Sequence, residues 1–114
     1  MDMNDYQKEA RKTAIYPKKH MVVYPALGLA GEAGEVCETV KKTIRGDFAI
    51  NRYKIFDVVK YPEEIAKELG DVLWYLAALA SDLNLSLADI AEGNISKLKD
   101  RAERNKIKGE GDER

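Results

Sequence analysis

Residues 28–38, GLAGEAGEVCE, place Glu32 and Glu35 three positions apart in a run of small and apolar residues. Residues 68–76, ELGDVLWYL, repeat the spacing with Glu68 and Asp71. Residues three apart on a helix lie on one face, so the sequence predicts two helices that each carry a carboxylate pair beside an apolar stripe. If the helices pack together, the two pairs repel each other, and a hard divalent cation with oxygen ligands is the natural counter-charge.

An acidic pair on a helix is weak evidence by itself, because a solvated helix face is its usual setting. Glu32 and Glu35, however, lie among Gly, Ala and Val rather than among lysines, and Asp71 is followed directly by the apolar residues VLWYL. Unpaired charges at such a core boundary are costly. A bound cation is therefore as good an interpretation of these residues as a solvated face, and both stay open at this point.

The other potential metal ligands in the chain limit which metals the site could bind. His20 is the one histidine and Cys37 the one cysteine, which argues against zinc sites rich in His or Cys. A di-iron bundle needs Glu-x-x-His on two helices, and no histidine stands at either position. Oxygen ligands alone suit magnesium, manganese or calcium. Magnesium also binds substrate phosphates, so the pattern points to phosphate chemistry.

Apolar residues at helical spacing predict an all-α fold with four helices. They span residues 4–15, 25–45, 62–84 and 86–106. Asn4 with Gln7, and Ser86 with Asp89, have the spacing of capping boxes. The predicted buried residues of the last three helices are Leu29, Ala33, Val36, Cys37, Val40 and Ile44; Ile65, Leu69, Val72, Leu76, Leu79 and Leu83; and Leu87, Ile90, Ala91, Ile95 and Leu98.

Three glycines in the second helix need a physical reason. Gly28, Gly31 and Gly34 recur every third residue, and each costs about 1 kcal/mol relative to alanine in a helix interior. One interpretation is the close approach of another helix backbone, and the other is room for a ligand beside the carboxylates. The two interpretations are compatible.

Two segments lie outside the predicted helices. Residues 47–61 are rich in aromatic and β-branched residues, which favours an irregular segment or a short hairpin that turns near Asn51 and Arg52, with a helical turn as the alternative. Residues 107–114 are polar and contain glycine, so we expect a frayed or disordered tail. The prediction is one helical domain over residues 1–106, followed by this tail.

Composition excludes several classes of protein. The 19 basic and 20 acidic residues nearly cancel, so nothing in the charge calls for a nucleic-acid or membrane partner. The single cysteine fits a reducing compartment, and no apolar run is long enough for a membrane span. We therefore expect a cytoplasmic protein of one domain, which gains further burial by association with a second copy.

The motifs LGLAGEAGEVCE, PEEIAKELGDVLWYLAALASDL and NISKLKDR together resemble the MazG-type nucleotide pyrophosphohydrolases, which belong to the all-α NTP pyrophosphatase superfamily. The resemblance extends from about Tyr6 to Arg104, although the segment between the two acidic pairs is longer here than is usual in the family. It implies a four-helix bundle completed by dimerisation, with tetramers in some members. It also implies magnesium-dependent hydrolysis of nucleoside triphosphates, often deoxy or non-standard ones, to the monophosphate and pyrophosphate.

The resemblance also implies roles for individual residues. The metal ligands would be Glu32, Glu35, Glu68 and Asp71, with magnesium or manganese as the cofactor. The general base that activates the attacking water would be Glu35 or, as the alternative, Glu38. The candidate substrate contacts are Asn94, Lys97, Arg101, Lys42 and Trp74.

Each of these candidate contacts also has a simpler interpretation. Asn94, Lys97 and Arg101 would form an ordinary solvated face, Lys42 would complement the helix dipole, and Trp74 would belong to the core. For the whole chain, the alternative to an enzyme is a non-catalytic helical interaction module with an acidic patch that binds a cation.

Overall fold

The computed structural model describes residues 1–45 and 60–114 of the chain, with the side chains of residues 60 and 61 left out. The described residues form four α-helices and no strand, which confirms the predicted all-α fold. The helices are α1 (Met3–Arg11), α2 (Val23–Arg45), α3 (Lys60–Asp82) and α4 (Leu87–Glu103), and a 3-10 turn spans Lys18–His20. The predicted irregular or hairpin segment 47–61 lies outside the described residues, except that residues 60 and 61 already belong to α3.

The cap of α1 differs from the predicted one. Asp2 is the N-cap, and its carboxylate accepts a hydrogen bond from the backbone N–H of Asp5 at 2.8 Å, while Asp5 returns the contact. The predicted box of Asn4 and Gln7 is therefore wrong. At the start of α4 the predicted cap is present, because Ser86 Oγ accepts from the backbone N–H of Asp89 at 3.2 Å.

Gln7 instead holds α1 against the connection between α3 and α4. Its Nε2 donates to Ser81 Oγ at 3.0 Å and to the carbonyl of Leu85 at 2.8 Å. Its Oε1 accepts from the backbone N–H of Leu87 at 2.8 Å. One amide thus satisfies backbone groups at the α3–α4 turn, which explains why Gln7 is not available for a capping box.

Helices α2 and α3 make the most extensive helix contact and run antiparallel. Gly28 lies beside Tyr75, and Glu32, one turn later in α2, lies beside Asp71 and Glu68, which come earlier in α3. A Cβ atom at Gly28 would overlap the ring of Tyr75. Gly28 is therefore explained by close helix approach, although a side chain rather than a backbone approaches it.

The other two glycines of α2 are not explained in this way. A Cβ at Gly31 or Gly34 would meet nothing within 4 Å among the described residues. Among the described residues, the predicted close approach of another helix is therefore not seen at these two positions.

The core of the described chain is small and is made largely of alanine. Its buried apolar residues are Ala10, Ala77, Ala78, Ala80 and Leu87, with Tyr6, Leu73 and Trp74 packed around them. Several residues predicted to be buried are exposed instead, namely Ala33, Cys37, Ile44, Leu69, Leu76, Leu83, Ile90, Ile95 and Leu98. The helical periodicity identified the apolar faces, but one chain does not cover all of them.

A buried carboxylate ties the segment before α2 to the end of α3. The side chain of Asp82 has no exposed surface and accepts hydrogen bonds from Arg11 at 2.8 Å, Tyr16 Oη at 2.7 Å and the backbone N–H of Val22 at 2.9 Å. Burial alone would raise the pKa of Asp82, but these hydrogen bonds and the charge of Arg11 outweigh burial and lower it. Val22 has a φ of 68°, a strained conformation for a β-branched residue, so the contact to Asp82 helps to hold it.

The C-terminal tail has defined contacts, which contradicts the expected fraying. Gly109 and Gly111 adopt positive φ values of 123° and 83° and turn the chain back towards α4. Arg114 then donates to the carbonyls of Lys106 and Gly111, at 3.2 Å and 2.6 Å. The tail thereby folds against the end of α4. No described helix has both the length and the apolar character needed to cross a membrane.

Two matched substitutions test the packing of α2. We expect Gly28→Ala to lower the free energy of unfolding by about 1–3 kcal/mol, because its methyl group overpacks against Tyr75. Gly34→Ala makes the same chemical change in open space, so we expect it to raise the free energy of unfolding by up to about 1 kcal/mol through helix propensity. Urea denaturation followed by circular dichroism measures both. Equal effects of the two substitutions would contradict the α2–α3 contact described above.

Candidate metal centre

Three of the four predicted metal ligands come together where α2 and α3 face each other. Glu32 on α2 and Glu68 and Asp71 on α3 each offer a carboxylate oxygen, and these oxygens lie within 4.8 Å of one another. Glu68 and Asp71 are neighbours because they lie one turn apart on α3. Glu32 reaches them because the contact between Gly28 and Tyr75 sets the helices in this register.

The charges of the cluster act on Glu32. Loss of hydration raises the pKa of Glu32, and the negative charges of Asp71, Glu68 and Glu35 raise it further. Glu32 is half-buried. The charged groups that shift its pKa are all carboxylates, with no described lysine or arginine among them. The neighbouring carboxylates therefore create a negative potential at Glu32.

The donor set fits a hard divalent cation. Opposite oxygen ligands of one magnesium ion lie about 4 Å apart, since each Mg–O bond is about 2.1 Å. Adjacent oxygen ligands of the same octahedral ion lie closer together, at about 3 Å. The carboxylate oxygens of Glu32, Glu68 and Asp71 lie within 4.8 Å of one another, so binding of one ion would draw them closer. Asp71 is exposed, which leaves room for water and for a ligand's phosphate oxygens, as magnesium requires.

The fourth predicted ligand, Glu35, is not part of this group of three. It is exposed on the next turn of α2, although its charge is close enough to raise the pKa of Glu32. Its role as a metal ligand therefore stays a prediction.

Glu38, the other candidate base, has a different environment. Its carboxylate pairs with Lys41 Nζ at 2.8 Å. A hydrogen bond from Lys41 lowers the pKa of Glu38, and the charges of Lys41, Lys42 and Arg45 lower it further. A carboxylate stabilised in its charged form is a poor proton acceptor, so Glu38 is the weaker candidate for a general base. Lys42 is exposed near the end of α2, outside the group formed by Glu32, Glu68 and Asp71.

Trp74 lies in the packing between α1 and α3. Its Nε1 donates to Thr13 Oγ1 at 2.8 Å, and its ring meets Tyr75 edge-on with 5.0 Å between centroids. The indole is half-buried against the small core. These contacts fit the interpretation of Trp74 as a packing residue, and its contact with substrate stays a prediction.

The three candidate substrate contacts on α4 differ in their exposure to solvent. Asn94 is exposed, Lys97 is half-exposed, and Arg101 is buried with 4% of its surface accessible. Lys97 and Arg101 both contact Asp112 of the tail, at 3.0 Å and 3.3 Å. The interpretation of this face as ordinary and solvated is therefore wrong for Arg101.

Sequence reasoning missed one aromatic residue at the cluster. Tyr75 lies one turn after Asp71. Burial raises the pKa of Tyr75, and so do a hydrogen bond with Tyr24 and the negative charges of Glu32 and Asp71. Tyr24 in turn stacks on Tyr16, with 4.8 Å between centroids. The four-residue spacing of Asp71 and Tyr75 was the signal in the sequence that could have identified it.

Comparisons with known proteins show the family of the chain. A family model described as the MazG nucleotide pyrophosphohydrolase domain matches residues 25–105, which include Glu32, Glu35, Glu38, Glu68 and Asp71. The chain is also similar to the Gene 37 protein of Mycobacterium phage L5, with 37% identity over 120 residues and the whole of both chains covered. No solved structure matches the chain.

The electrostatic coupling across the two helices can be measured directly. We expect Asp71→Asn to shift the pKa of Glu32 back towards its ordinary value in metal-free protein, because Asp71 is the largest charge contribution to the raised pKa. Glu92→Gln on α4 is the matched control, and it should leave Glu32 unchanged. NMR titration of the Glu32 side-chain carboxyl carbon gives both values. An unchanged Glu32 in Asp71→Asn would contradict the proximity of the two groups.

Proposed function

The chain belongs to the MazG nucleotide pyrophosphohydrolase family, and on that premise we propose that it hydrolyses nucleoside triphosphates to the monophosphate and pyrophosphate. Deoxynucleotides or non-standard nucleotides are the proposed substrates. The observation that carries the proposal is the group formed by Glu32, Glu68 and Asp71. Family membership supports the class of reaction, and the carboxylate group supports its location between α2 and α3.

Magnesium, with manganese as a substitute, is the proposed cofactor. Glu32, Glu68 and Asp71 would hold it, with Glu35 as a fourth ligand after a change of rotamer. A divalent cation bound there would neutralise charge on the triphosphate and lower the pKa of a water molecule. The mutual repulsion of the carboxylates supports the proposal, because a bound cation relieves it. No described lysine or arginine is among the groups that shift the pKa of Glu32.

Glu35 is the proposed general base. Glu35 is exposed, so a water molecule and a phosphate group have room to approach it. It also lies close enough to the cluster for its charge to raise the pKa of Glu32. Its role would be to accept the proton of the attacking water as pyrophosphate leaves. Glu38 is the less suitable alternative, because Lys41 already stabilises its charged form.

Asn94, Lys97 and Arg101 are the proposed substrate contacts on α4, with Lys42 as a further phosphate contact. The planar guanidinium of Arg101 and the ammonium of Lys97 suit phosphate oxygens, and the amide of Asn94 suits a sugar hydroxyl. Their spacing of three and four residues places them on one face of α4. Trp74 is left out of the site because Thr13 and the core already account for its contacts.

We further propose that the protein acts as a homodimer or homotetramer in the cytoplasm. Leu27, Ile44 and Ile95 are 69%, 75% and 64% exposed in one chain. Apolar faces of this kind are typical of surfaces that another copy covers. Light scattering at micromolar concentration would contradict the proposal if it gave the mass of one chain.

A non-catalytic interaction module is the rival hypothesis, and a nucleotide assay separates the two. With magnesium present and a panel of NTPs and dNTPs, we expect the monophosphate and pyrophosphate as products. Glu35→Gln should reduce kcat at least roughly 100-fold, since a general base contributes about that much, while helix content stays unchanged. Glu92→Gln serves as the matched control and should retain activity. No turnover of any nucleotide with magnesium or manganese would support the rival.

A further inference from the structure

The C-terminal tail, residues 107–114, places an acidic group on the two cations of α4. Asp112 Oδ1 accepts from Lys97 Nζ at 3.0 Å and from Arg101 Nη2 at 3.3 Å. The same Nη2 also donates to the backbone carbonyls of Asp112 at 2.9 Å and Gly111 at 3.5 Å. The tail therefore presents a carboxylate and two carbonyl oxygens to a Lys–Arg pair one helical turn apart.

The tail does not satisfy the guanidinium of Arg101 completely. All three contacts with the tail use Nη2, and the buried Nε has no hydrogen-bond partner. A buried donor without a partner is unfavourable. A planar guanidinium pairs best with an oxyanion that accepts two parallel hydrogen bonds. Arg101 thus has the geometry of an oxyanion site that the tail fills only in part.

The contact between tail and helix is also weakly held. The side chain of Asp112 is 83% exposed and that of Lys97 is 40% exposed. Ion pairs in such exposed positions are screened by solvent and salt, so they contribute little stability. Hydrogen bonds from Lys97 and Arg101 lower the pKa of Asp112, so this carboxylate is charged in its contact with them. An anion of higher charge could therefore displace it.

We propose that residues 107–114 are an autoinhibitory segment, in which Asp112 occupies the Lys97–Arg101 pair and competes with a phosphate group for it. This inference rests on the proposed function only in taking the competing anion to be the nucleotide's phosphate chain. Because the tail is tethered to α4 by a few residues, its local concentration at the pair is high, on the order of millimolar. Even a weak contact then competes with substrate.

Binding of pyrophosphate tests the inference without any need for turnover. Isothermal titration of pyrophosphate, in EDTA to exclude divalent cations, is compared for the wild-type chain, Asp112→Asn and Glu113→Gln. Glu113→Gln removes the same charge one residue away, from a side chain that has no contact in the described structure. We expect Asp112→Asn to bind pyrophosphate roughly two- to tenfold more tightly than wild type, because it removes the ion pairs of exposed Asp112 with Lys97 and Arg101. We expect Glu113→Gln to match wild type.

Two further measurements show whether the tighter pyrophosphate binding of Asp112→Asn depends on the tail. The double variant Lys97→Ala, Asp112→Asn should not bind pyrophosphate more tightly than wild type. A chain ending at residue 106 should bind pyrophosphate as tightly as Asp112→Asn. Adding the peptide IKGEGDER to the shortened chain should weaken pyrophosphate binding, whereas the same peptide with Asn for Asp should not. The inference is overturned if Asp112→Asn and Glu113→Gln bind pyrophosphate equally, or if no variant binds it.

The outcome separates this inference from the proposed function. If nucleotides are turned over, Asp112→Asn should lower KM by the same factor with kcat unchanged, while an unchanged KM would overturn the autoinhibitory role and leave the activity standing. If no nucleotide is turned over but Asp112→Asn still binds pyrophosphate more tightly than Glu113→Gln, the tail competes for an anion site and the proposed function fails alone.

Discussion

The mutual repulsion of Glu32, Glu68 and Asp71 is the constraint on which the rest of the structure depends. Packing of α2 against α3 brings these three carboxylate oxygens within 4.8 Å of one another, and like charges at that distance oppose the packing. Loss of hydration raises the pKa of Glu32, and the negative charges of Asp71, Glu68 and Glu35 raise it further. A divalent cation held by these carboxylate oxygens would relieve the repulsion.

The remaining contacts hold the two helices in the register that creates this conflict. The absence of a side chain at Gly28 lets Tyr75 fit against α2, one turn from Asp71. At the other end of α3, buried Asp82 binds Arg11, Tyr16 and the backbone of Val22 just before α2 begins. Gln7 fixes α1 to the α3–α4 turn in the same region. These contacts connect α1, the segment before α2 and the α3–α4 turn to the end of α3.

Much of this could be predicted from the sequence, because it depends on local spacing. The helices, the cap at Ser86 and the two acidic pairs all follow from periods of three and four residues. Features that depend on long-range packing could not be predicted from the sequence. Nothing local shows that Gly28 has a close neighbour while Gly34 has none, that Glu35 stays outside the group of three, or that Arg101 is covered by the tail. Cys37 and Leu69 were predicted to be buried and are exposed, since helical periodicity identifies an apolar face but not what covers it.

A double-mutant cycle on metal affinity tests the claim that α2 and α3 share one cation. Manganese binding to the nucleotide-free protein, followed by electron paramagnetic resonance, is measured for wild type, Glu32→Gln, Asp71→Asn and the double variant. If one ion needs ligands from both helices, each single substitution removes most of the affinity and the double variant loses little more. Additive losses, or no manganese binding by the wild-type chain, would contradict the account.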